Sequence, residues 1–250
     1  MSHTITALSV GRVFGLPKPS LTYLRGWGET LDIPLVMFVI QGDGPPVVVD
    51  TGADFDRAWE HHGIRMEQTP EERPEAALRA LGVDPAEVGV VVNTHLHWDH
   101  SSNNHLFPNA RIVVQQRELD YAADPVPWHR RQFERVPELT PAWRRAEDRI
   151  DAVDGDVEVA PGISVVHLPG HTPGSQGVVV SAGRTRYLLA GDCIDLYENW
   201  AGDDQDEHVP SGFFTDIVAY AESLKRIEKL GCEVIPSHDP LVVERREFTA

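Results

Sequence analysis

The chain has 250 residues, of which 41% are hydrophobic, 24% charged and 8% aromatic, a balance that supports a buried core and excludes an intrinsically disordered segment. Its 22 Lys and Arg against 39 Asp and Glu leave a formal charge of −17, so a polyanion would meet net repulsion and nucleic acid is not an expected partner. The longest apolar runs, such as Leu35 to Ile40, fall far short of the ~18–20 residues that cross a bilayer, so no membrane partner is expected either.

One domain over 1–250 fits the length. The N-terminal MSHTITALSVGRVFG lacks a basic region followed by an apolar run and a small-residue cleavage site, which makes the cytoplasm the expected location. Two cysteines, Cys193 and Cys232, allow at most one bridge, so this is no disulfide scaffold.

In chain order, residues 5–14 and 33–40 read as strands, and the turn-rich GDGPP before Val47–Asp50 predicts a hairpin. The intervening GLPKPSLTYLRGWGET has no period and reads as a loop over the surface or across a site mouth. Residues 54–73 look polar and irregular. PEAALRALG then has Pro at a first helical position and Gly just past the end, the signature of a short helix. Val88 to Val92 is a β-rich run that stops at NTHLHWDH. A strand at 111–115, a short helix at 116–122 and a Pro- and Arg-rich insertion at 124–149 follow. Short strands are then expected at about 149–153, 157–159, 163–168, 175–181 and 185–190. The segment 214–230 carries Ile217, Val218, Tyr220, Leu224, Ile227 and Leu230 at helical spacing, with Thr215 as candidate N-cap and Gly231 as stop. A last strand, Cys232 to Ile235, ends at PSHDP. By pattern alone the fold class is α/β with many strands.

Residues 95–100, HLHWDH, place His95, His97, Asp99 and His100 within six positions. Chance would put three His and one Asp at these positions in roughly two of a thousand chains of this composition. A loop leaving a strand can aim all four into one cavity, because the chain is not bound to the helical or extended side-chain period there. Three further residues have the same address, each just after a β-rich run: His171, Asp192 and His238. Strands that end on one edge of a packed sheet deliver the residues after them to one place. Five His and two Asp suit two metal ions better than one, imidazole with carboxylate favouring Zn²⁺, Mn²⁺ or Fe, and Asp192 could give one oxygen to each. Asp50 reads equally as an outer partner that orients a ligating imidazole or as a plain turn residue. Cys193 reads as a core residue before a soft ligand. His3, His61, His62, His129 and His208 are expected in solvent, and His105 and His167 in packing or hydrogen bonding. Trp27, Trp98, Trp200, Phe213 and Phe214 are candidates for an apolar pocket wall.

With HLHWDH followed in order by His171, Asp192 and His238, the chain resembles the metallo-β-lactamase superfamily over nearly its whole length. VVVDTG, VVNTHLHWDH, LPGHTPG, the GD after LLA and the closing SHD are similar to its N-acyl-homoserine lactonase and pyridoxolactonase branch. The resemblance implies an αββα sandwich of two mixed sheets flanked by helices. It implies one ion on His95, His97 and His171, a second on Asp99, His100 and His238, Asp192 between them, and a bridging water as nucleophile. Asp99 would also pass a proton to the leaving alkoxide. The activity implied is metal-dependent opening of a small lactone or ester by a monomer or homodimer. Two positions depart from the pattern: the branch's carbonyl-binding tyrosine, three residues after the bridging Asp, is Asp195 here, with Tyr197 the nearest tyrosine, and SSNN at 101–104 replaces Ala-Gly-Gly-Asn. Two other readings stay open: a thioesterase of the hydroxyacylglutathione hydrolase type, and an iron-containing redox member of the same fold.

Overall fold

Runs of valine set the layering. Val47, Val49, Val90, Val92 and Val113 face one side of a sheet and Val48, Val91, Ile112 and Val114 the other, and both sides are buried. Strands covered on both faces read as continuous apolar runs, which is why these segments show no polar alternation.

The computed structural model describes residues 2–250. The first sheet contains β1 (Thr4–Pro17), β2 (Thr30–Gln41), β3 (Val47–Val49), β4 (Met66–Glu67), β5 (Val90–Val92), β6 (Arg111–Gln115) and β7 (Ile150–Val153), in the order β1-β2-β3-β5-β6-β7 with β4 beside β1. It is mixed: β1, β2 and β3 pair antiparallel, and β3, β5, β6 and β7 parallel. The second sheet holds β8 (Val157–Ala160), β9 (Ile163–His167), β10 (Gln176–Ala182), β11 (Thr185–Leu189) and β12 (Glu233–Ile235), in the order β12-β11-β10-β9-β8. Only its β11–β12 pair is parallel. The C-terminal β13 (Glu247–Phe248) returns to the first sheet beside β1.

One core cluster joins the facing sides of the two sheets, with Ile5, Phe38 and Val92 from the first meeting Val165, Val180 and Leu189 from the second. A second cluster covers the outer side of the first sheet and includes Leu78 of the helix Pro74–Ala80. A third packs Tyr220, Leu224 and Ile227 of the helix Ile217–Leu230 on Val166, Val179 and Leu188. The result is two mixed sheets face to face with helices outside, the expected αββα sandwich. Among the described residues no helix is long and apolar enough to cross a membrane.

The expected strands and the hairpin into β3 form, within a few residues of the expected bounds. The N-cap of the long helix is Asp216, not Thr215: the Asp216 carboxylate accepts from Val218 N and Ala219 N, while the Thr215 hydroxyl donates to the Gly170 carbonyl. Gly231, with φ +61°, ends the helix as expected. Residues 54–62 are not irregular but form two helical turns, Phe55–Arg57 and Ala58–His62.

The 124–149 insertion folds back over these turns. Glu134, buried at its core, receives the Arg57 guanidinium through two contacts of 3.0 and 2.7 Å and the Ala142 amide at 2.6 Å. Burial by itself would raise its carboxyl, but His62, Arg57 and the Ala142 amide outweigh that and hold it down at about 2. A folded-state value below the unfolded one contributes stability that is complete above pH ~4.5 and disappears as pH falls toward 2. Glu134→Gln is therefore expected to lower the urea midpoint at pH 7 and to flatten its fall between pH 5 and 3. A variant whose acid limb overlays that of the parent would remove Glu134 as the cause.

The Tyr220 hydroxyl lies 2.7 Å from the Cys193 carbonyl and 2.9 Å from that of Asp192, linking the long helix to the turn after β11. Tyr220→Phe leaves buried carbonyls short of a donor and is expected to cost about 1–3 kcal/mol, a drop of several degrees in Tm by calorimetry.

Candidate metal centre

The site is built from four turns that follow β5, β9, β11 and β12. After β5 the chain leaves the sheet at Asn93, and His97 precedes the single helical turn Trp98–Ser101. Asp50, at the end of neighbouring β3, takes the left-handed conformation with φ +56°, which Asp tolerates better than most residues. Its carboxylate there accepts from Thr94 N and Thr94 Oγ1 at 2.8 Å each and from His100 Nδ1 at 2.8 Å. Asp50 is thus the outer partner of an imidazole, and the turn reading alone is insufficient. Engaging Nδ1 leaves Nε2 of His100 turned to Asp192. The same logic orients two more rings: His171 Nδ1 donates to the Phe213 carbonyl at 2.8 Å and His238 Nδ1 to the Pro34 carbonyl at 3.0 Å.

All seven residues singled out from the sequence come together. Ligand atoms of His95, His97, His171 and Asp192 lie within 4.8 Å of one another, and those of Asp99, His100 and His238 form a second such group. Asp192 stands between the groups. Its Oδ1 is 3.2 Å from Nε2 of both His100 and His238, and its Oδ2 is 3.5 Å from His171 Nε2 and 3.8 Å from His95 Nε2.

The side chains fit divalent cations on their own evidence. His95 Nε2, His100 Nε2 and Asp192 Oδ1 are buried without a hydrogen-bond partner. Such orphaned atoms are strongly unfavourable unless something positive sits among them. Burial and neighbouring imidazoles hold His95 and His97 well below the ordinary histidine range, so both present lone pairs near neutral pH. Burial would also raise Asp192, but His100, His238 and His95 together keep it well below the carboxylate range. His238, lowered by burial but more strongly raised by Asp192, lies at about 9.

A cavity of about 160 Å³ opens over these groups. Asp99, His97, His171, Asp192 and His238 line its floor, and Val13, Leu16, Leu21, Ile33 and Ile64 its apolar side. Of the five aromatics expected in the wall, Trp98, Phe213 and Phe214 line it. Trp27 is instead 75% exposed, and Trp200 stacks on His208 at 4.0 Å, outside the cavity. The 124–149 insertion lines the site through His129, Arg131 and Gln132, and its Phe133 packs edge-on to His97 at 4.7 Å. His62, expected in solvent, is buried, stacks on Trp98 at 4.3 Å and lines the cavity. His3 is also buried, with Nδ1 2.8 Å from the Ser181 carbonyl. Cys193 is a core residue in the cluster under the long helix. Tyr197 does not line the cavity: half-buried, it packs against the core between the sheets. Asp195 lines it instead, pushed well above the usual carboxylate range by burial and by Asp192.

One supporting residue escaped the sequence reading altogether. Glu118, on the helix Gln116–Ala123, is fully buried and accepts from Leu96 N at 2.9 Å, Thr172 Oγ1 at 2.6 Å and Gly174 N at 3.2 Å. It ties the turn bearing His95 and His97 to the turn bearing His171. The only sequence signal is Gly174, whose Cβ would fall 2.2 Å from Glu118 N, so the two backbones approach as closely as glycine permits.

The model of the metallo-beta-lactamase superfamily matches residues 33–238, and the chain belongs to that superfamily. Its similarity extends to curated relatives. The N-acyl homoserine lactonase AttM of Azorhizobium caulinodans is 30% identical over 235 residues, covering 86% of this chain and 86% of its own. An N-acyl homoserine lactonase of Bacillus sp is 26% identical over 227 residues, covering 86% and 82%. Among solved structures, a quorum-quenching N-acyl homoserine lactone hydrolase superimposes with a TM-score of 0.78 at 26% identity, covering 96% of this chain and 94% of that one.

Glu118→Ala strands the Leu96 and Gly174 amides and opens a void, and is expected to destabilise the fold by about 2–5 kcal/mol in urea unfolding. A loss below about 0.5 kcal/mol would mean that the two turns hold each other without the carboxylate.

Proposed function

We propose that the chain is a dinuclear metal-dependent hydrolase that opens a small lactone or ester, with the N-acyl-homoserine lactones of its relatives as the first substrate class to test. One ion would be held by His95, His97 and His171 and the other by Asp99, His100 and His238, with Asp192 available to both. The observation that carries this reading is the Asp192 carboxylate, which turns one oxygen to each donor group. Two divalent ions in such a donor set, zinc first and iron or manganese as alternatives, would lower the pKa of water enough to supply a nucleophile near neutral pH and would polarise a carbonyl.

The chain's own groups do the rest. Asp50, the Phe213 carbonyl and the Pro34 carbonyl engage Nδ1 of His100, His171 and His238 and so leave Nε2 of each turned to Asp192. Asp99, which lines the cavity, would take the proton that the attacking water gives up and return it to the alkoxide that leaves when a lactone ring opens. The apolar side from Val13 to Ile64, closed by Trp98 and Phe213, takes up an acyl chain and keeps bulk water away from the carbonyl. Both cysteines are free thiols, which fits a reducing, cytoplasmic setting.

Purified protein is expected to carry two metal ions per chain by elemental analysis and to acidify a weakly buffered solution of acyl lactones in a pH-indicator assay. Chelation should abolish turnover and readdition of metal restore it. Asp192→Ala should lower kcat/KM by at least ~10³-fold with the fold intact by circular dichroism, since it removes the carboxylate shared by both groups. Protein loaded with two ions that opens no lactone and cleaves no activated ester would overturn the proposal; thioester cleavage without lactone cleavage would move it to a thioesterase.

A further inference from the structure

Asp195 lies three residues beyond Asp192, between the turn Gly191–Cys193 and the helix Tyr197–Ala201, and faces the same cavity. It is 1% exposed, and neither carboxylate oxygen has a hydrogen-bond partner. The nearby Ser211 hydroxyl, which lies 3.4 Å from the Ser20 carbonyl and 3.3 Å from Phe213 N, closes no hydrogen bond of ordinary geometry with it. The fold therefore holds a second buried carboxyl beside Asp192 and leaves both its oxygens unused. Nothing in local packing requires an acid here, because the backbone at this turn is held independently: His238 N donates to the Asp195 carbonyl at 2.9 Å and Leu196 N to Asn199 Oδ1 at 2.7 Å.

A buried polar atom without a partner calls for a ligand, and the neighbours say which kind. A carboxylate oxygen of Asp195, one of Asp192 and a ring nitrogen of His238 lie within 4.8 Å of one another. Asp192 Oδ1 and His238 Nε2 are already 3.2 Å apart, and donors around one four-coordinate ion at ~2.0–2.2 Å stand ~3.3–3.6 Å apart, so a side-chain adjustment on the order of 1 Å brings the third, Asp195, to coordination distance. His238 and Asp192 already belong to the second donor group by the reading above, on which this inference rests.

We propose that Asp195 is an eighth protein ligand of the centre, binding the ion held by Asp99, His100 and His238. The two sites then differ in chemistry. The first offers three imidazoles and one carboxylate oxygen; the second offers two imidazoles and three carboxylates, and is the harder, more oxygen-rich of the two. The four acidic side chains about the centre, Asp50, Asp99, Asp192 and Asp195, match the charge of two divalent ions.

The test is stepwise metal binding, read apart from activity. Metal-free protein is titrated with Zn²⁺ against a chromophoric chelator and, separately, with Co²⁺ while the visible absorption is followed. Wild type is expected to take up two ions. Asp195→Asn preserves the shape of the side chain and should bind the first ion as before and the second at least ~10-fold more weakly, with a changed second Co²⁺ band. Because the substitution removes an unpaired buried carboxyl, the metal-free variant should melt no lower than metal-free wild type, which separates ligand loss from misfolding. Asp195→Cys offers a different donor at the same place: if position 195 touches the ion, the Co²⁺ form gains a sulfur-to-cobalt charge-transfer band in the near ultraviolet that wild type lacks. Unchanged second-site affinity in Asp195→Asn, or two bound Co²⁺ ions in Asp195→Cys without that band, overturns the proposal. Wild type that binds fewer than two ions would overturn the dinuclear reading itself, a distinct result visible before any variant is made.

Discussion

The Asp192 carboxylate is the point about which the site is arranged. Four imidazoles approach it, two on each oxygen, at distances between 3.2 and 3.8 Å, and none of them belongs to the same turn as Asp192 itself. Bringing those rings to one carboxylate requires the turns after β5, β9, β11 and β12 to end at one edge, and that requires two sheets packed face to face with their strand ends in register. The valine-rich interior between the sheets supplies that rigidity through close packing, which transmits little displacement before it becomes costly. The fold's contribution to the site is to bring imidazoles from distant segments to within 3.2–3.8 Å of one shared carboxylate.

That precision needs more than sheet packing, because a turn leaving a strand is free to rotate its side chains. Two buried carboxylates remove the freedom. Asp50 holds Thr94 and His100, the two sides of the motif turn, from the end of the neighbouring strand. Glu118 holds the same turn at Leu96 and reaches across to Thr172 and Gly174. The first acts on ring orientation and the second on the distance between the His95/His97 turn and the His171 turn. Burial raises Glu118 to about 7 even against its three hydrogen bonds, so this brace is costly to ionise.

Features carried by local pattern could be read from the chain alone: valine runs as strands covered on both faces, PEAALRALG as a short helix, and the common address of His95 to His100, His171, Asp192 and His238 after β-rich runs. Features decided by distant partners could not. His62 looks like a polar residue in a polar segment, yet it is buried because Glu134, in an insertion far along the chain, gathers Arg57 and closes that segment onto Trp98. Thr215 has the composition of an N-cap, but the Gly170 carbonyl claims its hydroxyl and the cap passes to Asp216. Trp200 has the composition of a pocket wall and is diverted by His208, whose Nδ1 lies 2.6 Å from its carbonyl. In the first two cases a contact remote in sequence outweighs a local propensity worth about 0.5–2 kcal/mol, and in the third a partner eight residues away does so.

The exchange at positions 195 and 197 follows the same rule. A tyrosine two residues further along cannot stand in for one at 195 by a small shift. Its amide is held by the Asp239 carboxylate at 2.8 Å, Asp239 also caps the following helix through Leu241 N at 2.9 Å, and the Tyr197 ring packs against the core between the sheets. Moving the hydroxyl into the cavity would break the amide contact and withdraw the ring from that core. Position 195 therefore presents a carboxyl and not a phenol to whatever occupies the cavity. The apolar side from Val13 to Ile64 lines the same cavity.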